Sequence, residues 1–331
     1  MSQSSETPYA GLTPDVILDA LEAVGFRPTG GLLELNSYEN RVFQLELEDG
    51  GFVVTKFYRP GRWSDEQIAE EHAFTRELAD AELPVVTAIP RDGTSLFHHG
   101  GHRFAVYPRQ GGHPPNVEDE ENLRVLGRTI ARIHAVGAVR RFTHRPDLSV
   151  DRLGTESREF LLGRGFLPPD IEPAYASLTE QLLERVREMM DRVRRHAERP
   201  EARIHGDCHL GNVLWRDDTP HFVDFDDCVN GPPIQDLWML LSGEREDRQA
   251  QLATILDAYE TFEPFDPASV ALIEPLRTLR IMHHAAWVAR RWNDPAFPRA
   301  FPAFDTPRYW SEHVLALREQ MAALDEPPLA V

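Results

Sequence analysis

The spacing of apolar residues changes from helical to strand-like within the first sixty residues. Apolar positions three and four apart within 16–24 predict an amphipathic helix that follows Thr13-Pro14-Asp15 and ends at Gly25. Between residues 32 and 58 apolar and polar residues alternate, and Asp49-Gly50-Gly51 between two alternating runs is typical of a hairpin turn. The chain is therefore predicted to begin with one helix and a hairpin-built antiparallel sheet.

A second helix and two further strands are predicted next. Ser64-Asp65-Glu66-Gln67 fits a capping box, and the helix that it begins is expected to end near Asp80. Apolar runs at 85–89 and 103–107 are consistent with strands. These elements complete a small sheet-rich region.

Residues 108–115 read Pro-Arg-Gln-Gly-Gly-His-Pro-Pro, which interrupts both helix and strand and indicates a linker. Beyond it helical spacing dominates. Helices are predicted near 118–137, 175–197, 237–241, 249–261, 269–291 and 308–324, and short strands at 203–204, 213–215 and 221–224. We therefore predict an α+β fold with a small antiparallel-sheet N-terminal lobe at 1–110 and a larger helical C-terminal lobe at 111–331.

Composition and charge narrow the classes of function. The 331 residues are 41% hydrophobic and contain no apolar run long enough to span a bilayer, which argues against a membrane protein. The net charge of −19 argues against non-specific nucleic-acid binding, which needs a basic surface. Cys208 and Cys228 are too few for a disulfide framework, and residues 1–6 do not resemble a secretory signal. We expect a cytoplasmic protein.

Lys56 is the only lysine in the chain, although arginine is abundant. A single retained lysine at the end of a predicted strand indicates a position where a compact ammonium cannot be exchanged for a planar guanidinium, such as a contact to nucleotide phosphates. An acid on the following helix is expected to pair with it. Glu71 is favoured because it lies beside the apolar stripe of that helix, and Glu70 remains the alternative. An ordinary strand lysine is the competing interpretation.

A loop with the chemistry of phosphoryl transfer follows the strand at 203–204. It reads His205-Gly-Asp-Cys-His-Leu-Gly-Asn212, in which Asp207 and Asn212 stand five residues apart. At this spacing the acid can accept the proton of an acceptor hydroxyl and the amide can hold a metal ion. The spacing between Asn212 and Asp224 is that of a hairpin, which would bring Asp224 back beside Asn212. Zinc binding through His205, Cys208 and His209 is less favoured because the segment is a loop.

Two other polar segments have candidate roles. The loop Asn36–Asn40 joins the first two strands, where its backbone N–H groups and the Ser37 hydroxyl could contact phosphate oxygens, although an ordinary hairpin turn is equally consistent with it. Asp236 begins a predicted helix and either caps it or braces the loop at 205–212. The aromatic-rich helix near His283-His284 is expected to serve packing.

These blocks together resemble the aminoglycoside phosphotransferase-like kinases, and most closely the bacterial stress response kinase A family of serine/threonine protein kinases. The matching blocks are 35–42, 56–60, 70–72, 205–212, 235–241 and 290–292. The resemblance implies a bilobal protein-kinase-like fold, ATP as co-substrate, Mg²⁺, and a role in surviving stress. It also implies that Asp207 is the proton acceptor, that Asn212 and Asp224 bind Mg²⁺ with Asp224 counted in the active site, and that Ser37 contacts ATP.

The segment between Asp224 and Asp236 has only eleven residues, and none is Ser, Thr or Tyr. It is too short for a long activation loop, so we predict a site that assembles without phosphorylation there. Autophosphorylation elsewhere remains open. The expected partners of this predicted monomer are ATP and proteins with Ser or Thr acceptors; the alternatives are a small-molecule kinase on the same fold and a non-enzymatic ATP-binding module.

Overall fold

A computed structural model describes residues 8–196 and 201–331. The strands are β1 Pro28–Leu35, β2 Arg41–Leu47, β3 Phe52–Phe57, β4 Phe97–His99, β5 His102–Pro108, β6 Ala202–Ile204, β7 Val213–Arg216, β8 Thr219–Phe222 and β9 Val229–Gly231. The helices are α1 Pro14–Ala23, α2 Asp65–Asp80, α3 Glu120–Ala138, α4 Glu156–Gly163, α5 Glu172–His196, α6 Ile234–Trp238, α7 Arg245–Tyr259, α8 Ile273–Arg290, α9 Ala296–Ala300 and α10 Pro307–Ala323. The segment 1–6 and Ala197, the predicted end of one helix, lie outside the described residues. Within the described ranges, none of the helices is long and apolar enough to cross a membrane.

The first five strands form one antiparallel sheet in the order β1-β2-β3-β5-β4. The two faces of β3 pack in different surroundings because side chains alternate along a strand. Val53 and Phe57 join the core that α1 covers. Lys56 faces the opposite side, between Val42 of β2 and Ala105 of β5 in the register. The predicted sheet, α1 and the capping box of α2 are confirmed.

One predicted strand is wrong and two others were missed. Residues 85–89 make single backbone bonds to two different partners, Phe222 and Val106, so they do not form a continuous ladder. The strands that were missed are β9, which pairs with β6, and β4, which pairs with β5 across Gly100-Gly101. Both glycines have positive φ, 55° and 80°, and this turn was the available sequence signal.

The chain divides into two compact units. The first contains the chain up to Asn116 together with Phe142–Arg145 and His209–Cys228, and the second contains Val117–Arg141, Pro146–Cys208 and Val229–Val331. The prediction of functional lobes at 1–110 and 111–331 stays a prediction.

In the second unit, α3 packs against both α7 and β6. A Cβ added at Gly137 would lie 2.1 Å from the carbonyl oxygen of Arg203, so only glycine permits this close approach of helix and strand. Because β6 leads directly into the loop at 205–208, α3 fixes the starting point of that loop.

Candidate active site

Lys56 lies among carboxylates of the first unit. Its Nζ is 2.8 Å from Oδ1 of Asp224 and 3.3 Å from Oδ1 of Asp226, and its side chain is 8% exposed. Burial alone would lower the pKa of Lys56, but the charges of Asp224, Asp226 and Glu71 raise it well above its ordinary value. The charged form of the ammonium is therefore favoured, and it is held beside a carboxylate, that of Asp224, which is itself half exposed.

Asp226 joins three segments that are distant in sequence, and no sequence pattern had marked it as a site residue. Its carboxylate accepts a hydrogen bond from Asn40 Nδ2 at 3.1 Å and is paired with Arg62 as well as with Lys56. Burial would raise the pKa of Asp226, but Arg62, Lys56 and Arg145 lower it far below its usual range. Asp226 thereby ties the loop Asn36–Asn40 to the lysine.

The predicted pair between Lys56 and Glu71 is not formed in this structure. Glu71 Oε2 instead accepts a hydrogen bond from Nη2 of Arg145 at 3.0 Å, and both side chains are buried. Arg145 also donates to the carbonyl oxygen of Asp226 at 2.6 Å. The cation bonded to Glu71 is therefore Arg145, while Lys56 is paired with Asp224 and Asp226.

Glu70, which was the alternative partner considered for Lys56, is bonded to backbone instead. Its carboxylate accepts backbone hydrogen bonds from Thr143, His144 and Arg145 at 2.6, 2.8 and 2.7 Å. These three bonds fix the segment 142–145, which the first unit contains although it follows α3 in sequence. Glu70 thus positions Arg145, and Arg145 positions Glu71.

The burial of His72 predicts that the stability of the same unit depends on pH. Its ring nitrogens are hydrogen-bonded to Tyr58 Oη and Ser95 Oγ, both at 2.8 Å, and burial lowers the pKa of His72 from 6.5 to about 3, assisted by the charges of Lys56 and Arg145. At this histidine the unfolded chain therefore binds more protons than the folded one between pH 6.5 and about 3, so the contribution of His72 to stability falls as the pH falls.

We expect His72→Gln to remove this dependence, which is worth about 2 kcal/mol in the free energy of unfolding at pH 5. Urea unfolding at pH 7 and pH 5 would measure it, with the exposed His113→Gln as the matched control. An equal loss of stability between the two pH values in the wild type and in His72→Gln would contradict the prediction.

Asn212 and Asp224 are brought together by the hairpin of β7 and β8, as predicted. Val213 pairs with Phe222, and the next backbone bond runs from the N–H of Val223 to the carbonyl oxygen of Asn212 at 3.0 Å. Asp224 lies two residues beyond β8 in the left-handed conformation, with φ 58° and ψ 60°. Aspartate tolerates this region better than most residues, and such backbone strain is concentrated at functional sites.

The donor set at this hairpin fits a hard cation. Asn212 offers an amide oxygen and Asp224 a carboxylate that is 52% exposed, which are oxygen ligands of the kind that Mg²⁺ prefers. No group of three or more His, Cys, Asp or Glu in residues 8–196 and 201–331 could hold a metal ion. An ion held here would therefore take its other ligands from water and phosphate, as Mg²⁺ does with nucleotides.

Asp207 belongs to the second unit, where Asp236 braces its loop. The two carboxylate oxygens of Asp236 accept the backbone N–H groups of His205 and Gly206, both at 2.8 Å. Gln235 donates to the carbonyl oxygen of Gly206 at 3.0 Å. Of the two roles considered for Asp236, bracing the loop is the one observed.

Asp236 is itself held by a buried histidine that the sequence analysis missed. His134 of α3 is hydrogen-bonded to Asp236 Oδ2 through Nε2 and to Tyr259 Oη through Nδ1, both at 3.0 Å. The three residues come from three different helices. The loop before Asp207 is thus supported by three side chains that are all buried.

For the remaining candidate residues, the role of binding a ligand stays a prediction. Ser37 lies half-buried in the loop between β1 and β2, whose other end is fixed through Asn40. His205 and His209 each accept a local backbone N–H through Nδ1, from Asp207 at 3.3 Å and from Gly211 at 3.0 Å. The segment 225–235 contains a short helical turn at 225–227, β9 and the start of α6.

The family model described as the phosphotransferase enzyme family matches residues 32–273. The chain belongs to this phosphotransferase family. The match includes every predicted site residue, from Ser37 to Asp224. The phosphotransferase is therefore an enzyme, and the fold predicted from the sequence is confirmed.

Curated relatives of this phosphotransferase are bacterial kinases of nearly the same length. The chain is 43% identical over 321 residues to "Stress response kinase A" of Salmonella choleraesuis (strain SC-B67), covering 97% of this chain and 96% of the relative. It has the same identity and coverage to "Serine/threonine protein kinase RdoA" of Salmonella typhimurium (strain LT2). The predicted resemblance to the stress response kinase A branch is confirmed, and the phosphotransferase is a kinase.

A solved structure supports the fold independently. "Amicoumacin kinase hAmiN in complex with AMP-PNP, Ca2+ and Ami" matches with a TM-score of 0.72 and covers 96% of this chain and 95% of that one. Its sequence identity is only 18%, so this likeness concerns the fold alone.

Proposed function

We propose that this phosphotransferase is an ATP- and Mg²⁺-dependent serine/threonine protein kinase that acts in the bacterial stress response, in the cytoplasm and as a monomer. The observation that carries the proposal is the 43% identity, over nearly the whole length, to relatives named stress response kinase A and serine/threonine protein kinase. The contact of 2.8 Å between Lys56 and Asp224 supports it, because a phosphate-binding lysine and a metal-binding acid belong together in such a site.

In the proposed reaction, Lys56 and Ser37 bind ATP phosphates, and Asn212 and Asp224 hold Mg²⁺. When bound there, Mg²⁺ would neutralise the negative charge that develops on the transferred phosphoryl group. Asp207 accepts the proton of the Ser or Thr hydroxyl and orients that oxygen in line with the γ-phosphorus. Most of the acceleration then comes from positioning and electrostatics.

Glu71 has an indirect part in this proposal. Its carboxylate is bonded to Arg145, and it raises the pKa of Lys56 less than Asp224 and Asp226 do. In that role Asp224 would hold the metal ion, and Lys56 would keep Asp226, at 3.3 Å, and Glu71 as the buried acids that hold the ammonium toward phosphate.

The second candidate function is a small-molecule kinase that acts on an amino alcohol, sugar or aminoglycoside. It is favoured by the fold likeness to an amicoumacin kinase, since the same catalytic groups serve either acceptor. Its test is the same as that of the first candidate.

Labelled ATP with Mg²⁺ would be offered together with casein, myelin basic protein, choline or an aminoglycoside. We expect transfer to protein hydroxyls, located on Ser or Thr by mass spectrometry, and little transfer to the small molecules. Transfer confined to a small molecule would contradict the protein-kinase proposal, and nucleotide binding without any transfer would favour a non-enzymatic module. Asp207→Asn is the control for contaminating kinases.

A further inference from the structure

Asp207 is paired with a cation from helix α8. Nη1 of Arg280 donates to Oδ1 of Asp207 at 2.6 Å, and the two side chains are 45% and 25% exposed. Both residues belong to the second unit. Any acceptor group that approaches Asp207 therefore also meets a guanidinium that is open to water.

Arg280 begins a stripe along α8. Arg280, His284, Trp287 and Arg291 recur at spacings of three and four, which places them within roughly 60° of one another around the helix axis. The His284 and Trp287 rings are stacked with centroids 5.7 Å apart, and Cζ of Arg291 lies 5.1 Å from the Trp287 ring. His284 is exposed, whereas Trp287 is half-buried and also packs edge-on against Phe297 and Phe301. The stripe therefore presents the His284 ring and part of the Trp287 ring between two cations.

The stripe is unusual for this chain. Asp and Glu outnumber Lys and Arg by 54 to 35, yet no acid occurs between Pro275 and Asn293. The stretch 275–293 thus carries only positive formal charge, opposite in sign to the whole protein, and its Arg280 is ion-paired with Asp207. A surface of this kind attracts carboxylates and repels cations at short range.

We infer that this stripe, Arg280-His284-Trp287-Arg291, binds an acidic segment of the protein substrate next to the acceptor Ser or Thr. This inference rests on the proposed protein-kinase function and names its substrate class. A guanidinium has five donors in a plane, so Arg280 can keep one bond to Asp207 and still bind a substrate carboxylate along another edge. The aromatic pair offers stacking surface to the intervening residues.

The geometry limits where the acids of the substrate fall. Because Arg280 touches Asp207 directly, the first acid lies one or two residues from the acceptor hydroxyl. Arg291, which directly follows the last residue of α8, is eleven residues beyond Arg280, or about 16 Å at 1.5 Å per residue, which an extended peptide covers in about five residues. A cationic acceptor such as an aminoglycoside would meet Arg280 as a like charge.

The test is a matched set of peptides with one acceptor serine and either Glu, Ala or Lys at the flanking positions. For the wild-type protein we expect kcat/KM for the Glu peptide to exceed that for the Ala peptide by ~10-fold, and the Lys peptide to be the poorest substrate. In Arg280→Gln the ratio of Glu to Ala peptide should fall to ~2 or less, mainly through KM. Arg291→Gln should reduce only the benefit of the distant Glu.

The ratio between peptides is the readout because Arg280 touches Asp207, so the absolute rate of that variant can also change. The exposed Arg308→Gln on α10 is the matched control and should keep the wild-type ratio. Equal kcat/KM for Glu and Ala peptides, or an unchanged ratio in Arg280→Gln, would overturn the inference and leave the protein-kinase proposal standing. Transfer to an aminoglycoside with none to any peptide would overturn both.

Discussion

Asp207→Asn is expected to lower kcat for phosphoryl transfer by about 10²–10⁴-fold while ATP binding is retained. Asparagine is nearly the same size as aspartate and can still accept the hydrogen bond from Arg280, so the loop braced by Asp236 should keep its shape. What it cannot do is take a proton from the acceptor hydroxyl. The separation of transfer from binding is therefore the signature of the proposed role.

The measurement is single-turnover transfer from labelled ATP, with a thermal shift by Mg-ATP as the readout of binding. Asp218→Asn is the matched control because Asp218 is an exposed turn residue with φ 56°, a conformation that asparagine adopts readily. A wild-type transfer rate in Asp207→Asn would show that another group accepts the proton.

Lys56→Arg is expected to lower kcat/KM by about 10²–10³-fold although the positive charge is kept. A planar guanidinium cannot fit as a compact ammonium between Asp224 and Asp226 and still reach phosphate. Arginine is preferred to alanine for this test because removal of the charge would leave Asp226, whose side chain is 4% exposed, as a buried carboxylate lacking one of its cations. Such a loss destabilises a protein by about 3–5 kcal/mol and would confuse folding with catalysis.

The single lysine also allows a direct chemical measurement. An acyl-phosphate derivative of ATP transfers its acyl group to an amine beside the bound phosphates, and peptide mapping should find the adduct on Lys56, with protection by excess Mg-ATP. Arg308→Lys, at an exposed ion pair on α10, adds a lysine remote from the predicted site and should leave activity unchanged. Labelling of that added lysine in preference to Lys56 would contradict the proposed place of the phosphates.

Local pattern was sufficient for much of the first unit. The alternation in β2 and β3 and the cap at Ser64 are short-range signals, and the structure has the corresponding elements within a residue. The hairpin that joins Asn212 to Asp224 was predictable for the same reason. The strand expected at 85–89 was wrong because an apolar run does not reveal whether one continuous partner strand is available.

The partners of the buried charges could not be predicted in the same way. Lys56 could be assigned an acid on the next helix by analogy, but the structure pairs it with Asp224 and Asp226, 168 and 170 positions later. Arg145 and His134 had no motif around them. Each residue contributes one side chain, and it lies far along the sequence from the acid that it contacts, Glu71 for Arg145 and Asp236 for His134.

By itself, the sequence determined the family, the order of the elements and the residues that carry the proposed chemistry, because these depend on composition and spacing over a few residues. Only the tertiary structure decided that Glu71 is bonded to Arg145, that Asp226 links Asn40 to Lys56, and that Arg280 faces Asp207. The physical reason is that a buried charge must be paired, but any of several residues of the right sign can pair with it. Which residue does so depends on how helices and strands pack, and that is set by contacts across the whole unit.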